Sequence, residues 1–354
     1  MKIAFPMFGL GRGGGEKVIV RLADSLVDRG HSVSLFVPSG QNPGIVLTRA
    51  SVQEYPHLPL VPHALSRTGI DTLSLTFPLA KRLRAFDVLV ANFAPTSLPT
   101  KLGQDMKTRL CYLVQHDDAV FFSRMSLNRW LSRLSYGMLR NGMFFTVSQW
   151  LREMIRQKTG CDSVILHPGI DHQTYHPRER LTHGGKQVLF LARASKFRGI
   201  EYFIDAMNIV AAKVPDVRLL GVGKALQGFT PRCPIEYVTP SDDQLATLYA
   251  SSDVFVLPSI LEGMPVPPLE AMASGGCVVL TDCLGTRDYA NDGENCLMVP
   301  PKDSGALAEA IVNVLTDEEL NSRLRINGPV TAQEWTYERM SKPFVEGIES
   351  LDQP

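Results

Sequence analysis

Two glutamates flank the segment Glu262-Gly-Met-Pro-Val-Pro-Pro-Leu-Glu270, with prolines at 265, 267 and 268 between them. Proline donates no backbone hydrogen bond, so the chain from Glu262 to Pro267 cannot be helical, whereas Pro268 suits the first turn of a new helix. That helix would carry Leu269, Glu270, Ala271, Met272 and Ala273 and end at Gly275-Gly276. A helix N-terminus offers unpaired N–H groups and a partial positive charge, which suit a diphosphate. Glu262 on the loop and Glu270 in the first turn would then accept hydrogen bonds from sugar hydroxyls. Taken singly, Glu270 would only complement the helix dipole and Glu262 would be a solvated loop residue.

A second candidate lies in Phe190-Leu-Ala-Arg193-Ala-Ser-Lys196-Phe-Arg198-Gly199, a strand end opening into a helix. Arg193, Lys196 and Arg198 are suited to a diphosphate, and a solvated basic loop is the plainer alternative. Near the start, Gly9-Leu-Gly11-Arg-Gly-Gly14 satisfies GxGxxG after a strand and before a helix. A nicotinamide dinucleotide site also needs an acidic residue at the end of the second strand. Here that strand ends Phe36-Val-Pro-Ser39, without a carboxylate, which argues against an oxidoreductase. Gly14 and Gly15 remain candidates for lining a ligand at the helix start, against a turn that only packs helix on strand.

Leu113-Val-Gln-His116-Asp-Asp118 ends another strand. Two adjacent aspartates without a further ligand are weak evidence for a metal site, and solvation or acceptor contact suits them better. The six cysteines show no CxxC pair and read as free thiols.

The elements that must position these groups alternate in type. Strands are expected over residues 2–8, 31–37, 88–91, 109–114 and 144–147, with a helix over 16–29. Residues 167–177, with two prolines and a glycine, and the polar 178–186 read as a linker. The pattern then restarts, with strands over 187–192, 217–222, 236–238, 254–257 and 278–280. Helices are expected over 199–214, 245–250, 269–274 and 304–315. Strand–helix alternation predicts an α/β fold of two Rossmann-like, doubly wound domains facing each other across a cleft. The expected division is 1–170 and 171–336, with a last helix at about 337–354. Residues 126–140 form a basic amphipathic pattern, which suits either packing on the protein itself or lying on an anionic membrane.

With 36 basic and 36 acidic residues the formal charge is zero, so no global field favours nucleic acid. The start reads as a first strand, not a signal peptide. No uncharged run is long enough to span a bilayer.

The stretch Ser251-Ser-Asp-Val-Phe-Val-Leu-Pro-Ser-Ile-Leu-Glu-Gly-Met-Pro-Val-Pro-Pro-Leu-Glu-Ala-Met-Ala-Ser-Gly275 resembles the signature of retaining GT-B glycosyltransferases of family 4. The resemblance implies the GT-B fold, with the last helix crossing back to the first domain. It implies transfer of a hexose-type sugar from a nucleoside diphosphate sugar to an acceptor hydroxyl, with no metal or other cofactor. By resemblance Glu270 would bind the ribose and Glu262 would position the transferred sugar. The backbone of Gly263, Met264, Pro265 and Val266 would touch sugar and diphosphate, although Pro265 stands where the pattern often has glycine. Arg193 and Arg198 would hold the diphosphate, with Lys196 competing. Gly223 would line the nucleotide, Val238 would hold the base through its backbone, and His116 would contact the sugar.

The implied partners are the nucleotide-sugar donor and a glycan, lipid-linked or small-molecule acceptor, as in polysaccharide, glycolipid or natural-product glycosylation. The expected location is the cytoplasm, with peripheral contact at the inner membrane face. A non-catalytic nucleotide-sugar-binding protein and a nucleotide-sugar epimerase are the alternatives.

Overall fold

The structure is a computed structural model that describes residues 1–11, 13–40, 47–56, 70–122, 127–193, 195–224, 228 and 230–352. For 70–75 and 127–128 it describes the backbone only. Arg12 of the glycine motif, Ser126 of the basic pattern, Ala194 and the terminal Gln353 and Pro354 lie outside the described residues. The chain divides into two compact units, Met1–Pro168 with Glu338–Pro354, and Gly169–Tyr337.

The N-terminal unit follows the expected alternation. Its strands are β1 (Lys2–Pro6), β2 (Ser32–Pro38), β3 (Ser51–Tyr55), β4 (Val88–Ala91), β5 (Arg109–Val114), β6 (Met143–Thr146) and β7 (Ser163–Ile165). They form one parallel sheet in the order β3-β2-β1-β4-β5-β6-β7. Its helices are α1 (Gly14–Asp28), α2 (Ile70–Leu83), α3 (Ala94–Gly103), α4 (Leu127–Met138) and α5 (Gln149–Thr159). Central strands such as β4 are buried throughout, which explains their continuous apolar runs.

The C-terminal unit repeats the design. Its strands are β8 (Lys186–Ala192), β9 (Val217–Gly223), β10 (Ile235–Val238), β11 (Val254–Leu257), β12 (Val278–Thr281) and β13 (Leu297–Val299). Their parallel order is β10-β9-β8-β11-β12-β13. The helices are α6 (Ile200–Lys213), α7 (Asp242–Ser251), α8 (Pro267–Ala273), α9 (Ser304–Thr316) and α10 (Glu318–Gln333). Phe190 on β8 meets Phe203 on α6 with ring centroids 4.8 Å apart, in a core shared with α9.

The final helix, α11 (Tyr337–Ser350), belongs to the N-terminal unit from Glu338 onward. Phe344 packs on Phe5 of β1 and Phe145 of β6, with centroids 6.2 and 4.9 Å away. Arg29 donates twice to Glu349 at 3.2 Å.

One half-buried cation ties the C-terminal unit together. Arg325 of α10 donates to the carbonyls of Ala250, Ser252 and Asp253 at the end of α7 and of Gly275 after α8. Burial lowers its pKa, yet the carbonyl ends of two helices are where a cation is favoured.

Candidate active site

In the C-terminal sheet β8 and β11 are neighbours although β9 and β10 lie between them in sequence. At such a switch point the chain leaves the two strand ends in opposite directions and opens a ligand crevice. The loop after β8 holds Arg193, Lys196 and Arg198. The loop after β11 holds Ser259 through Val266.

Gly199 sets the geometry of the first loop. Its φ is +60°, and a Cβ there would stand 2.0 Å from the Pro258 carbonyl oxygen. The Ile260 N–H donates to the Phe197 carbonyl at 2.7 Å, joining the two loops. This delivers Arg198 to Glu262: Arg198 Nη1 donates to Glu262 Oε1. Ser259 Oγ donates to the same oxygen at 2.8 Å. Glu262 is 9% exposed, and its N–H donates to the Cys283 carbonyl at 3.1 Å. By sequence Arg198 suits a diphosphate and Glu262 a sugar hydroxyl. The structure adds that each is the other's partner.

The intervening loop is held from below. A Cβ on Gly285 would lie 2.3 Å from the Gly263 carbonyl oxygen, so only glycine fits. The buried Tyr289 hydroxyl donates to the Pro265 carbonyl at 3.0 Å. Burial, with the Glu262 charge adding to it, pushes the Cys283 thiol up to about 12. Cys283 is therefore a neutral thiol and not a nucleophile near neutral pH.

α8 starts one residue earlier than the proline argument suggested, with prolines at both of its first two positions. Two first-turn N–H donors are therefore missing, and the Glu270 N–H is already bonded to the Val266 carbonyl at 3.1 Å. The anion-binding capacity assumed for this helix start is correspondingly smaller. The cations across the switch point carry more of that task.

Glu270 and Arg193 act on one buried tyrosine. Tyr249 is 1% exposed, and burial raises its pKa far above the ordinary value. The Glu270 charge adds to the shift and Arg193 opposes it. Burial and then Glu270 likewise raise Tyr175, whose ring centroid is 6.3 Å from that of Tyr249.

Arg193, Gly223 and Val238 lie along the C-terminal edge of the adjacent strands β8, β9 and β10. Gly223 has φ +127°, and a Cβ there would stand 2.9 Å from the Ala192 carbonyl oxygen. Lys196 is exposed, with its ammonium 4.8 Å from the Phe197 ring centroid. Sequence reasoning missed Ser259, Tyr289, Tyr249 and Tyr175. Their partners lie on other elements, so no local spacing signals them.

In the N-terminal unit Gly14 and Gly15 open α1. Gln115, at the end of β5, donates to the Gly15 carbonyl at 3.2 Å. The next residue, His116, has its ring 4.3 Å from Phe121 and edge-on to Trp150 at 6.4 Å. The glycine loop and His116 thus share one edge of this sheet.

The two aspartates have separate structural duties. Asp117 pairs with Lys158 at 3.0 Å. Asp118 accepts from the Ala94 N–H at 2.6 Å at the start of α3. Among the described residues no cluster of metal-ligating side chains occurs. Burial raises the Asp118 pKa to about 7, against the hydrogen bond from Ala94 and with help from Asp117. Between about pH 4 and 7 the unfolded chain therefore sheds this proton first, and stability falls as pH rises. The full effect is up to about 4 kcal/mol above pH 7. Asp118→Asn keeps an acceptor for Ala94 and cannot ionise. It should melt well above wild type at pH 8, with the difference largely gone at pH 4. An equal difference at both pH values in urea or thermal melts would contradict this.

Residues 185–317 match the model described as "Glycosyl transferases group 1". Residues 12–174 match "Glycosyltransferase Family 4". The chain belongs to glycosyltransferase family 4 and has the GT-B fold.

Its relatives include the phosphatidyl-myo-inositol mannosyltransferase of Mycobacterium tuberculosis, 29% identical over 58% of this chain and 58% of the relative. The chain thus spans little more than half of that protein in the match. The enzyme of the same name from Mycolicibacterium smegmatis is 25% identical over 88% of this chain and 83% of its own length.

Sucrose-phosphate synthase from Thermosynechococcus elongatus superposes with a TM-score of 0.85 at 18% identity, covering 99% of both chains. The Anabaena protein HepE in complex with UDP-glucose gives 0.76 at 18% identity, covering 99% of this chain and 100% of the other.

Proposed function

We propose that this chain transfers a hexose-type sugar from a nucleoside diphosphate sugar to an acceptor hydroxyl, retaining the anomeric configuration and using no metal. The observation that carries the reading is the Arg198–Glu262 pair at the switch point of the C-terminal sheet. Arg193, Lys196 and Arg198 stabilise the leaving diphosphate as negative charge builds on it. Glu262 orients the sugar and Glu270 takes the ribose hydroxyls. The backbone of Gly263, Met264, Pro265 and Val266 borders the donor, and Gly223 and Val238 line the nucleotide. The role of His116 rests on the family resemblance alone, and that of Gly14 and Gly15 on their place at the start of α1. No carboxylate is assigned as nucleophile.

Two names among the comparisons support the partners. HepE was solved with UDP-glucose, and the mycobacterial relatives are named for a phosphatidylinositol acceptor. We take a nucleotide sugar as donor and a lipid-linked or glycan hydroxyl as acceptor, at the cytoplasmic face of a membrane.

A thermal-shift screen against nucleotide sugars tests the donor. A ligand that binds only the folded state at about 100 times its Kd adds roughly 2.7 kcal/mol of stability. Melting should rise by several degrees with one nucleotide sugar and not with nicotinamide dinucleotides. Glu270→Ala should abolish the rise. No shift with any nucleotide sugar would sink the reading. A shift without donor hydrolysis or transfer would favour a binding protein instead.

A further inference from the structure

In a chain of zero net charge, residues 119–152 contain five arginines, at 124, 129, 133, 140 and 152, and no aspartate or glutamate. This stretch includes α4. Its inner face, formed by Leu131, Ser132, Ser135 and Tyr136, is buried in the N-terminal unit. Its outer face is unusual for a protein surface. Trp130 is 59% exposed and Leu134, one turn on, 40%. Phe121, on the turn that packs against α4, is 45% exposed.

Arg133 on α4 and Arg140 in the turn just beyond its end are exposed, and among the described residues neither pairs with a carboxylate. Large apolar side chains at helical spacing beside uncompensated arginines are what an interfacial helix presents to lipid. Indole rings prefer the headgroup level, and guanidinium groups are drawn to anionic headgroups. No helix among the described residues is long and apolar enough to cross a membrane, so this contact lies on the surface.

We infer that the outer face of α4, with Phe121, docks on an anionic phospholipid bilayer, with Trp130 and Leu134 entering the interface and Arg133 and Arg140 facing the headgroups. This deepens the membrane location proposed above and does not depend on the donor reading.

Co-sedimentation of the full chain with vesicles tests it. Wild type should bind phosphatidylcholine vesicles that contain phosphatidylglycerol, with a blue shift of tryptophan emission, and stay in solution with phosphatidylcholine alone. The pairs Arg133→Glu with Arg140→Glu, and Trp130→Ser with Leu134→Ser, should each weaken binding about tenfold or more. Their melting temperatures should match wild type, since all four side chains face outward. Glu270→Ala should bind vesicles as wild type does, which separates this result from the donor experiment. Wild type left in solution with the anionic vesicles would overturn the proposal. So would folded variants that bind undiminished, or equal binding to neutral vesicles.

Discussion

Glu262→Gln is expected to lower sugar transfer by about 10²- to 10³-fold, the usual effect of removing one preorganised electrostatic contact at a reacting centre. Glutamine can still accept from Ser259, but Arg198 then faces an uncharged amide in a largely closed site. Arg198→Met removes the opposite partner and leaves a carboxylate that is only 9% exposed without its cation. Breaking a buried pair from one side costs on the order of 3 kcal/mol. The double variant should recover much of that stability, because neither charge is left alone, and should recover no activity. Denaturant melts and initial rates of all three variants separate the two effects. If the double variant were as active as wild type, the pair would be a structural brace and not part of the chemistry.

Gly199→Ala should destabilise the chain by at least about 3 kcal/mol, combining a left-handed backbone with a direct clash. The position has φ +60°, and the added methyl would meet the Pro258 carbonyl 2.0 Å away. The methyl is fixed to the backbone and the carbonyl is part of it, at the roots of the two loops that bring Arg198 to Glu262. Relief of the clash must therefore separate the loops, so the surviving folded protein should also lose donor binding. A mild change in melting temperature with unchanged donor affinity would show that the two loops move independently.

Much of this was legible in the chain's local chemistry. The buried strands β1, β4, β8, β11 and β12 announce themselves by uninterrupted apolar runs, and the Glu262–Glu270 segment by its prolines. What stayed hidden has identifiable causes. β3, Ser-Val-Gln-Glu-Tyr, is a largely exposed edge strand with almost no apolar signal. α2, α3 and α10 contain Pro78, Pro99 and Pro329, which read as breaks.

α10 also packs through small residues. A Cβ on its Gly328 would stand 3.3 Å from Met272 of α8, a close fit that hydrophobic periodicity cannot register. The start of α7 at Asp242 was available from the Ser241–Gln244 capping box, a spacing the sequence reading passed over. Arg325, which holds the ends of two helices by their carbonyls, has no signature in sequence because its partners are backbone atoms of distant segments.

The three prolines between Glu262 and Glu270 bear on the thermodynamics of ligand capture. Pro265, Pro267 and Pro268 restrict the loop even in the unfolded chain. The Tyr289 hydroxyl on the Pro265 carbonyl and Gly285 against Gly263 then fix what freedom is left. Ordering a residue's backbone costs roughly 1–2 kcal/mol in entropy, and in this loop that cost falls on folding before any ligand arrives. A donor therefore meets a surface already in its final shape. Its calorimetric binding entropy should carry little penalty from this loop, and loosening it with Pro265→Gly should weaken the donor while leaving the Pro265 backbone carbonyl available to Tyr289.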